Sequence, residues 1–245
     1  MAGHSHSANI ARRKGAVDAK RGKEFSKCSR AIISAARQGG GDPNHNLKLK
    51  YAIEKARAAN MGKDTIERAV AKGAGTKEGD SFEELNYEGY APNGVALLVT
   101  CLSDNRFRTA PDVKSVFERG GGNLGAPGSV AYLFEQRSVC VCPRGGKGED
   151  ELTELALEVG ADDVELEDEV VVFYGDPKAF IALKSGLEGR GLAFHSAELA
   201  YVPLSRVPVA DRETAAKVLK LIEALEDLDD VQNVYANCDI PPEWI

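Results

Sequence analysis

No run of apolar residues in this chain approaches the roughly 20 that a bilayer requires. The longest, Val95 to Leu102, is interrupted by Thr100. The first residues carry no apolar stretch of the kind a secretory signal needs. Cysteine is scarce. Five occur (Cys28, Cys101, Cys140, Cys142 and Cys238), an odd number at irregular spacing. That argues against a disulfide framework and for small buried residues in a reducing compartment, so the cytoplasm is the expected location. Histidine is scarcer still, at four. His4 and His6 stand close together in the opening segment, but His45 and His195 are isolated, and Cys140-x-Cys142 is not a zinc spacing. No metal and no cofactor are expected. Nucleophile-elbow and metalloprotease patterns are missing, so nothing argues for an enzyme.

Two glycine-bearing stretches imitate nucleotide-binding loops without their context. Gly120-x-Gly122-x-x-Gly125 follows an expected helix and precedes an expected strand, the reverse of the dinucleotide fingerprint, and reads as a tight turn. Arg144-Gly-Gly-Lys147-Gly lacks the spacing and the hydroxyl residue of a phosphate loop.

What is present is a strong charge asymmetry. The whole chain is acidic, with a net charge of −7. Residues 1–77, however, hold 17 basic and 6 acidic side chains, a net of +11, and the remainder carries −18. A basic head on an acidic body points to a polyanion that approaches the head alone.

Residues 1–19 lack sustained periodicity and read as a basic arm. From Lys20 to Arg37 a helix is expected, with Phe25, Cys28, Ile32 and Ala35/Ala36 on one stripe. Lys20, Lys23, Lys27, Arg30 and Arg37 fall within an arc of about 100° on the other side, at 100° per residue. With Arg12, Arg13, Lys14 and Arg21, these are the candidate nucleic-acid contacts. Asp42-Pro43 reads as the start of a second helix, with Asp42 as its N-cap. Asp64 and Glu67 read as a capping-box pair opening a third, which Gly73 ends.

Beyond a Gly-rich linker the period changes. Leu85–Tyr90 and Val95–Leu102 read as strands around a Pro92-Asn93-Gly94 turn. A helix over 109–119 follows, then strands at 129–134 and 139–142. Helices at 149–159, 177–187 and 211–225 alternate with strands at 164–166, 170–174, 193–202 and 231–238. The stretch 138–202 reads βαββαβ, the split-βαβ order of ferredoxin-like domains. The expected fold is α+β and multidomain. Residues 1–77 form an arm and three-helix domain, 81–134 with 206–240 a discontinuous α/β domain, and 135–205 an inserted ferredoxin-like domain.

Several motifs carry a resemblance. The opening MAGHS…ANI..RKG..DAKRGK.F is followed by GGGDP..N, AIEKA.AANM.KD.IERA, YEGY.P.GVALLV.CL.DNR.RT and GGNLG..GSVAYLF. Together they resemble the YebC/PmpR family, over the whole chain and most densely over 1–135. The resemblance implies a helical domain and two α/β domains grouped around a central cleft. It also implies a bacterial cytoplasmic DNA-binding regulator of transcription. Related mitochondrial proteins activate translation of cytochrome c oxidase subunit one, and some bacterial relatives relieve ribosome stalling at proline-rich stretches. The opening departs from the family pattern: His6-Ser7 replaces a Lys-Trp pair, and Ala11-Arg12 replaces Lys-His, which removes an aromatic suited to stacking on bases.

Asp104, Asn105, Arg106, Arg108 and Thr109 lie between a strand and a helix. They could line a cleft and hold a phosphate at the helix start, or Asp104 or Asn105 could simply cap that helix. The chain is thus expected to be a non-enzymatic nucleic-acid-binding regulator, with DNA as partner. RNA or the ribosome is the alternative, favoured by the want of a helix-turn-helix reading pair. A third reading is a protein- or ligand-binding module acting through the α/β domains. No membrane partner is expected.

Overall fold

The apolar stripe of the first helix decides how the N-terminal third packs. In the computed structural model, which describes residues 18–75, 82–167 and 169–244, helix α1 runs Asp18–Gly39. It buries Cys28, Ile32, Ile33, Ala35 and Ala36 against α2 (Leu47–Ala58) and α3 (Lys63–Ala74). Small side chains on these faces let the helices approach closely. At Gly73 an added Cβ would sit 2.5 Å from the Ile33 carbonyl oxygen and 2.7 Å from the Ala36 Cβ. Gly73 is therefore a packing residue inside α3, and the helix does not end there as its sequence suggests.

Two expected helix starts also move. Asp42 closes a local turn, its carboxylate accepting from the Asn44 N–H and pairing with His45. The N-cap of α2 is Asn46, four residues later. Its buried side chain accepts from the Leu49 N–H at 3.0 Å and donates to the carbonyls of Ala35 (2.7 Å) and Gly40 (2.8 Å). One amide thus caps the start of α2 and ties it to the backbone at the end of α1. Helix α3 begins at Lys63 behind Gly62, with no side-chain cap, so the expected Asp64–Glu67 box does not form.

The continuous apolar run 95–99 becomes a strand covered on both faces, as such runs generally are. Strand β1 (Glu83–Tyr90) pairs antiparallel with β2 (Ala96–Ser103). Asn93 and Gly94 take left-handed conformations in the turn between them (φ 66° and 71°). Helix α4 (Arg106–Arg119) leads to the two-residue strand β3 (Asn123–Leu124) on the edge of β1. Residues 131–133 form a single 3₁₀ turn instead of a strand, and β4 (Phe134–Pro143) starts after it. The reason is Glu88, discussed below.

Strand β4 opens the split-βαβ unit. Helix α5 (Glu149–Val159), strands β5 (Asp163–Leu166) and β6 (Val170–Gly175), helix α6 (Phe180–Gly189) and strand β7 (Ser196–Pro203) complete it. The sheet order β5-β6-β4-β7, antiparallel throughout, is that of a ferredoxin-like sheet. Cys140, Cys142 and Phe173 face α5 and α6, burying Leu152, Leu183 and Leu187. The short strand β8 (Val207–Pro208), helix α7 (Arg212–Glu226), strand β9 (Val231–Ala236) and strand β10 (Cys238–Asp239) follow; β8 and β10 pair with each other in parallel, while β9 returns to the first sheet. That sheet has the order β3-β1-β2-β9. Helices α4 and α7 pack on one of its faces around Phe117, Leu97, Val99, Leu221 and Leu225. On its other face Tyr235 meets Tyr201 of the second sheet edge to face, ring centroids 5.3 Å apart. The fold is thus a three-helix head, an α/β unit closed by the C-terminal strands, and a ferredoxin-like insert.

Candidate nucleic-acid interface

Lys23, Lys27 and Arg30 lie at i, i+4 and i+7 of α1, so one face of the helix presents all three. The structure does not leave that face in water. It lies against the C-terminal end of α7, about 200 residues away in the chain. Lys23 Nζ donates to the Asp227 carbonyl and to Asp227 Oδ1, both at 3.2 Å. Lys27 Nζ donates to the Glu226 carbonyl at 2.7 Å. Arg30 Nη1 donates to the Asp229 carbonyl at 2.6 Å and to Asp230 Oδ1 at 2.9 Å. The last carbonyls of a helix have no intrahelical partner and carry the negative end of its dipole, so three cations are suited to them.

Lys55 of α2 stands on the same junction, donating to Asn233 Oδ1 at 2.9 Å and lying 3.6 Å from Glu198. Burial lowers the pKa of Lys27. Glu226 opposes that shift, while Lys55 and Lys23 add to it. Nothing in the sequence marks Lys55 as part of this group, because its neighbours come from three separate elements.

The remaining cations of the basic head divide by position. Arg12, Arg13 and Lys14 lie outside the described residues, as do the side chains of Lys20 and Arg21 on the first turn of α1. Arg37 sits half-buried in the last turn of α1, where a cation complements the carbonyl end. An open depression of about 420 Å³ is bordered by Phe25, Ser29 and Arg30 of α1, Lys72 of α3, Phe82 and Asp104.

The Asp104–Thr109 segment is brought to the same junction through Asp230. The Asp230 side chain is only 9 % exposed, and its Oδ2 accepts from Arg108 Nη2 at 2.8 Å and Ser103 Oγ at 3.1 Å. Thr109 Oγ1 lies 2.7 Å from the same oxygen and 2.6 Å from Ser103 Oγ. Burial alone would raise the Asp230 pKa, but Arg108, Thr109 and Ser103 together hold it below the usual carboxylate value. Asn105 is the N-cap of α4, its side chain accepting from the N–H groups of Phe107 and Arg108. The amides a phosphate would take at that helix start are therefore already engaged. Arg106 lies 3.7 Å from Glu83, and Arg108 also pairs with Asp104 at 2.8 Å. Arg30 and Arg108 thus meet on the two oxygens of one buried carboxylate, which joins the helical head to the first sheet.

A second buried carboxylate has no signature in the sequence. Glu88, in the Tyr-Glu-Gly-Tyr stretch of β1, accepts from the N–H groups of Gly128 (2.6 Å), Val130 (2.7 Å) and Ala131 (2.7 Å). Burial pushes its pKa up, yet the three backbone donors outweigh that and leave it lowered. This clamp draws residues 128–131 into a turn and delays β4 to Phe134.

No group of three or more His, Cys, Asp or Glu side chains among the described residues is placed to hold a metal ion. Burial pushes the thiols of Cys101, Cys140, Cys142 and Cys238 up to about 12, so they stay protonated at neutral pH. No helix among the described residues is long and apolar enough to cross a membrane.

A basic three-helix head joined through charged contacts to two α/β units places the chain in the α+β, multidomain class. The chain belongs to the TACO1/YebC family. The model of its N-terminal domain matches residues 5–76, and the model of its second and third domains matches residues 82–238. A probable transcriptional regulatory protein of Aquifex aeolicus is 51 % identical over 243 residues, covering 99 % of this chain and 98 % of its own. One from Pseudomonas fluorescens is 53 % identical over 245 residues, with 99 % and 98 % covered. The crystal structure of a conserved hypothetical protein from Aquifex aeolicus superposes with a TM-score of 0.82 at 50 % identity, covering 92 % of this chain and 93 % of that one.

Proposed function

We propose that this protein is a nucleic-acid-binding regulator, without enzymatic activity, that acts on DNA in transcription through its basic head. The observation that carries the reading is the concentration of +11 net charge in residues 1–77 of an acidic chain. Membership of a family whose curated relatives are called probable transcriptional regulatory proteins supports it. The binding residues proposed are Arg12, Arg13, Lys14, Lys20, Arg21, Lys23, Lys27, Arg30 and Arg37. Such contacts neutralise phosphates and supply affinity that falls steeply with salt, without reading sequence.

One observation favours a second reading, in which the partner is ribosomal RNA. Helix α1 is covered on its apolar face by α2 and α3 and on its basic face by α7. A helix that reads a major groove must present a free face along its length. Binding along a phosphate backbone needs only the leading cations. Comparing the full-length protein on its own promoter DNA, on non-specific duplex and on ribosomes in a density gradient separates the two. Preference for a promoter supports transcription. Sedimentation with ribosomes and no promoter preference overturns it in favour of translation, and binding to none of them overturns both.

A further inference from the structure

The basic stripe of α1 faces an anionic surface that belongs to its own chain. The turn that ends α7 offers three main-chain carbonyls, of Glu226, Asp227 and Asp229, together with the carboxylates of Asp227 and Asp230. At 1.5 Å per residue, Lys23, Lys27 and Arg30 span about 10 Å of helix. Measured along the axis of a duplex, that is the length over which one strand places roughly three phosphates, at about 3.4 Å each. Four acidic residues, Glu226, Asp227, Asp229 and Asp230, crowd into five positions opposite them. The end of α7 thus presents to α1 what a phosphate backbone would present, and no cation can serve both at once.

The way the head is attached fits a contact that opens. Its buried core draws only on residues of the head itself, Cys28 to Ala69. The links from the head to the α/β units are chiefly polar: the α1–α7 contact, Lys55 with Asn233, Lys48 with Glu84, and Lys184 with Glu54 at 2.9 Å. Among the described residues the aromatic links are Tyr51 on Phe180, ring centroids 5.3 Å apart, and Phe82, which packs against the edge of the head's core. Interfaces of this polar kind between units of a chain permit relative motion.

We propose that the C-terminal turn of α7 is an internal stand-in for nucleic acid, which must leave Lys23, Lys27 and Arg30 before a phosphate backbone can occupy them. Binding through the stripe and docking of the head on the first sheet are then mutually exclusive. The inference rests on the nucleic-acid reading of the head and adds its regulation. The acidic end of α7 lowers the affinity of the resting protein and rejects weak polyanions, while a partner that supplies more phosphate contacts displaces it.

The test ties the contact shut. Lys23 and Asp227 are half-exposed, and the five native cysteines are all buried, so a K23C/D227C variant takes up thiol reagents at the two new positions. One portion is bridged with a short bis-maleimide and another is capped on both thiols with N-ethylmaleimide, which controls for the lost charges. Each is titrated with a mixed-sequence duplex DNA and with a ribosomal RNA fragment by fluorescence anisotropy. The bridged form is expected to bind about tenfold more weakly than the capped form, within the usual range of coupling between sites. Equal or tighter binding by the bridged form overturns the proposal and leaves the nucleic-acid reading standing. Failure of the unmodified protein to bind either probe overturns both.

Discussion

Replacing Asp230 by Asn tests the junction most sharply, because one carboxylate there serves two arginines and two hydroxyl residues. The side chain is 9 % exposed and is held by Arg30, Arg108, Ser103 and Thr109. Asparagine keeps the shape but turns one oxygen into a donor, which then faces either Arg30 or the Arg108–Thr109–Ser103 group. Half of the Arg108 side chain is in water, so little is assigned to its pairing. A hydrogen bond to a charged group contributes about 1.5–3 kcal/mol, and removing one partner of a buried pair costs about 3–5 kcal/mol. Arg30 keeps the Asp229 carbonyl and Thr109 keeps the Asn105 carbonyl, which places D230N near the low end, at about 3 kcal/mol.

For a chain of this size each kcal/mol shifts the melting temperature by about 2–4 °C, so calorimetry should show a loss of about 6–12 °C near neutral pH. The folded-state pKa of Asp230 is depressed. Its stabilisation is therefore complete above the unfolded value of about 3.9 and disappears as pH falls through the lower folded value. The gap between wild type and D230N should close on acidification through that window. A shift under about 2 °C, or a gap that is constant with pH, would refute the reasoning.

Other outcomes follow from the same geometry. E88Q places an amide where three backbone N–H groups converge, and should destabilise by about 2–4 kcal/mol; because the Glu88 pKa is lowered, this difference too should shrink as pH falls below about 4.3. G73A forces a Cβ against the Ile33 carbonyl, and a loss of about 1–3 kcal/mol is expected, whereas a plain gain in helix propensity would stabilise. Thiol titration of the native protein at neutral pH should find no reactive cysteine and five after denaturation, since all five are buried; one fast-reacting native thiol would contradict the packing around it.

Local signals in the chain led to local features and missed those made by distant partners. Helix α5 matches its sequence reading end to end, because Leu152, Leu155 and Ala156 repeat at helical spacing and Gly160 stops it in a left-handed conformation. The βαββαβ unit is legible because β6 is an apolar run, Cys140 and Cys142 alternate onto one face of β4, and both helices carry an apolar face. The start of α2 does not follow from local sequence, because Asp42-Pro43 is a strong local start signal, whereas Asn46 caps by reaching the end of α1. Residues 129–134 look like a strand until Glu88, some forty positions earlier, bends them into a turn.

The basic stripe follows from helical spacing. That it rests on the end of α7 does not, because its partners lie 199 to 204 positions away. The acidic run 226–230 looks in sequence like an ordinary solvated helix end, and only the fold brings it to α1. Neutralisation by a distant segment of opposite charge is invisible to any reading of one helix at a time.

The central claim is that the basic head grips phosphate, beginning with the cations ahead of the docked stripe. Its most direct test is the salt dependence of binding by the wild type and by R12E/R13E/K14E, a variant outside every contact described above. If the leading arm and first turn neutralise about four to five phosphates, log K on duplex DNA should fall against log salt with a slope of about −4. The triple reversal should flatten that slope and abolish most of the affinity, with melting unchanged. A slope near zero, or a variant that binds as the wild type does, would contradict the account.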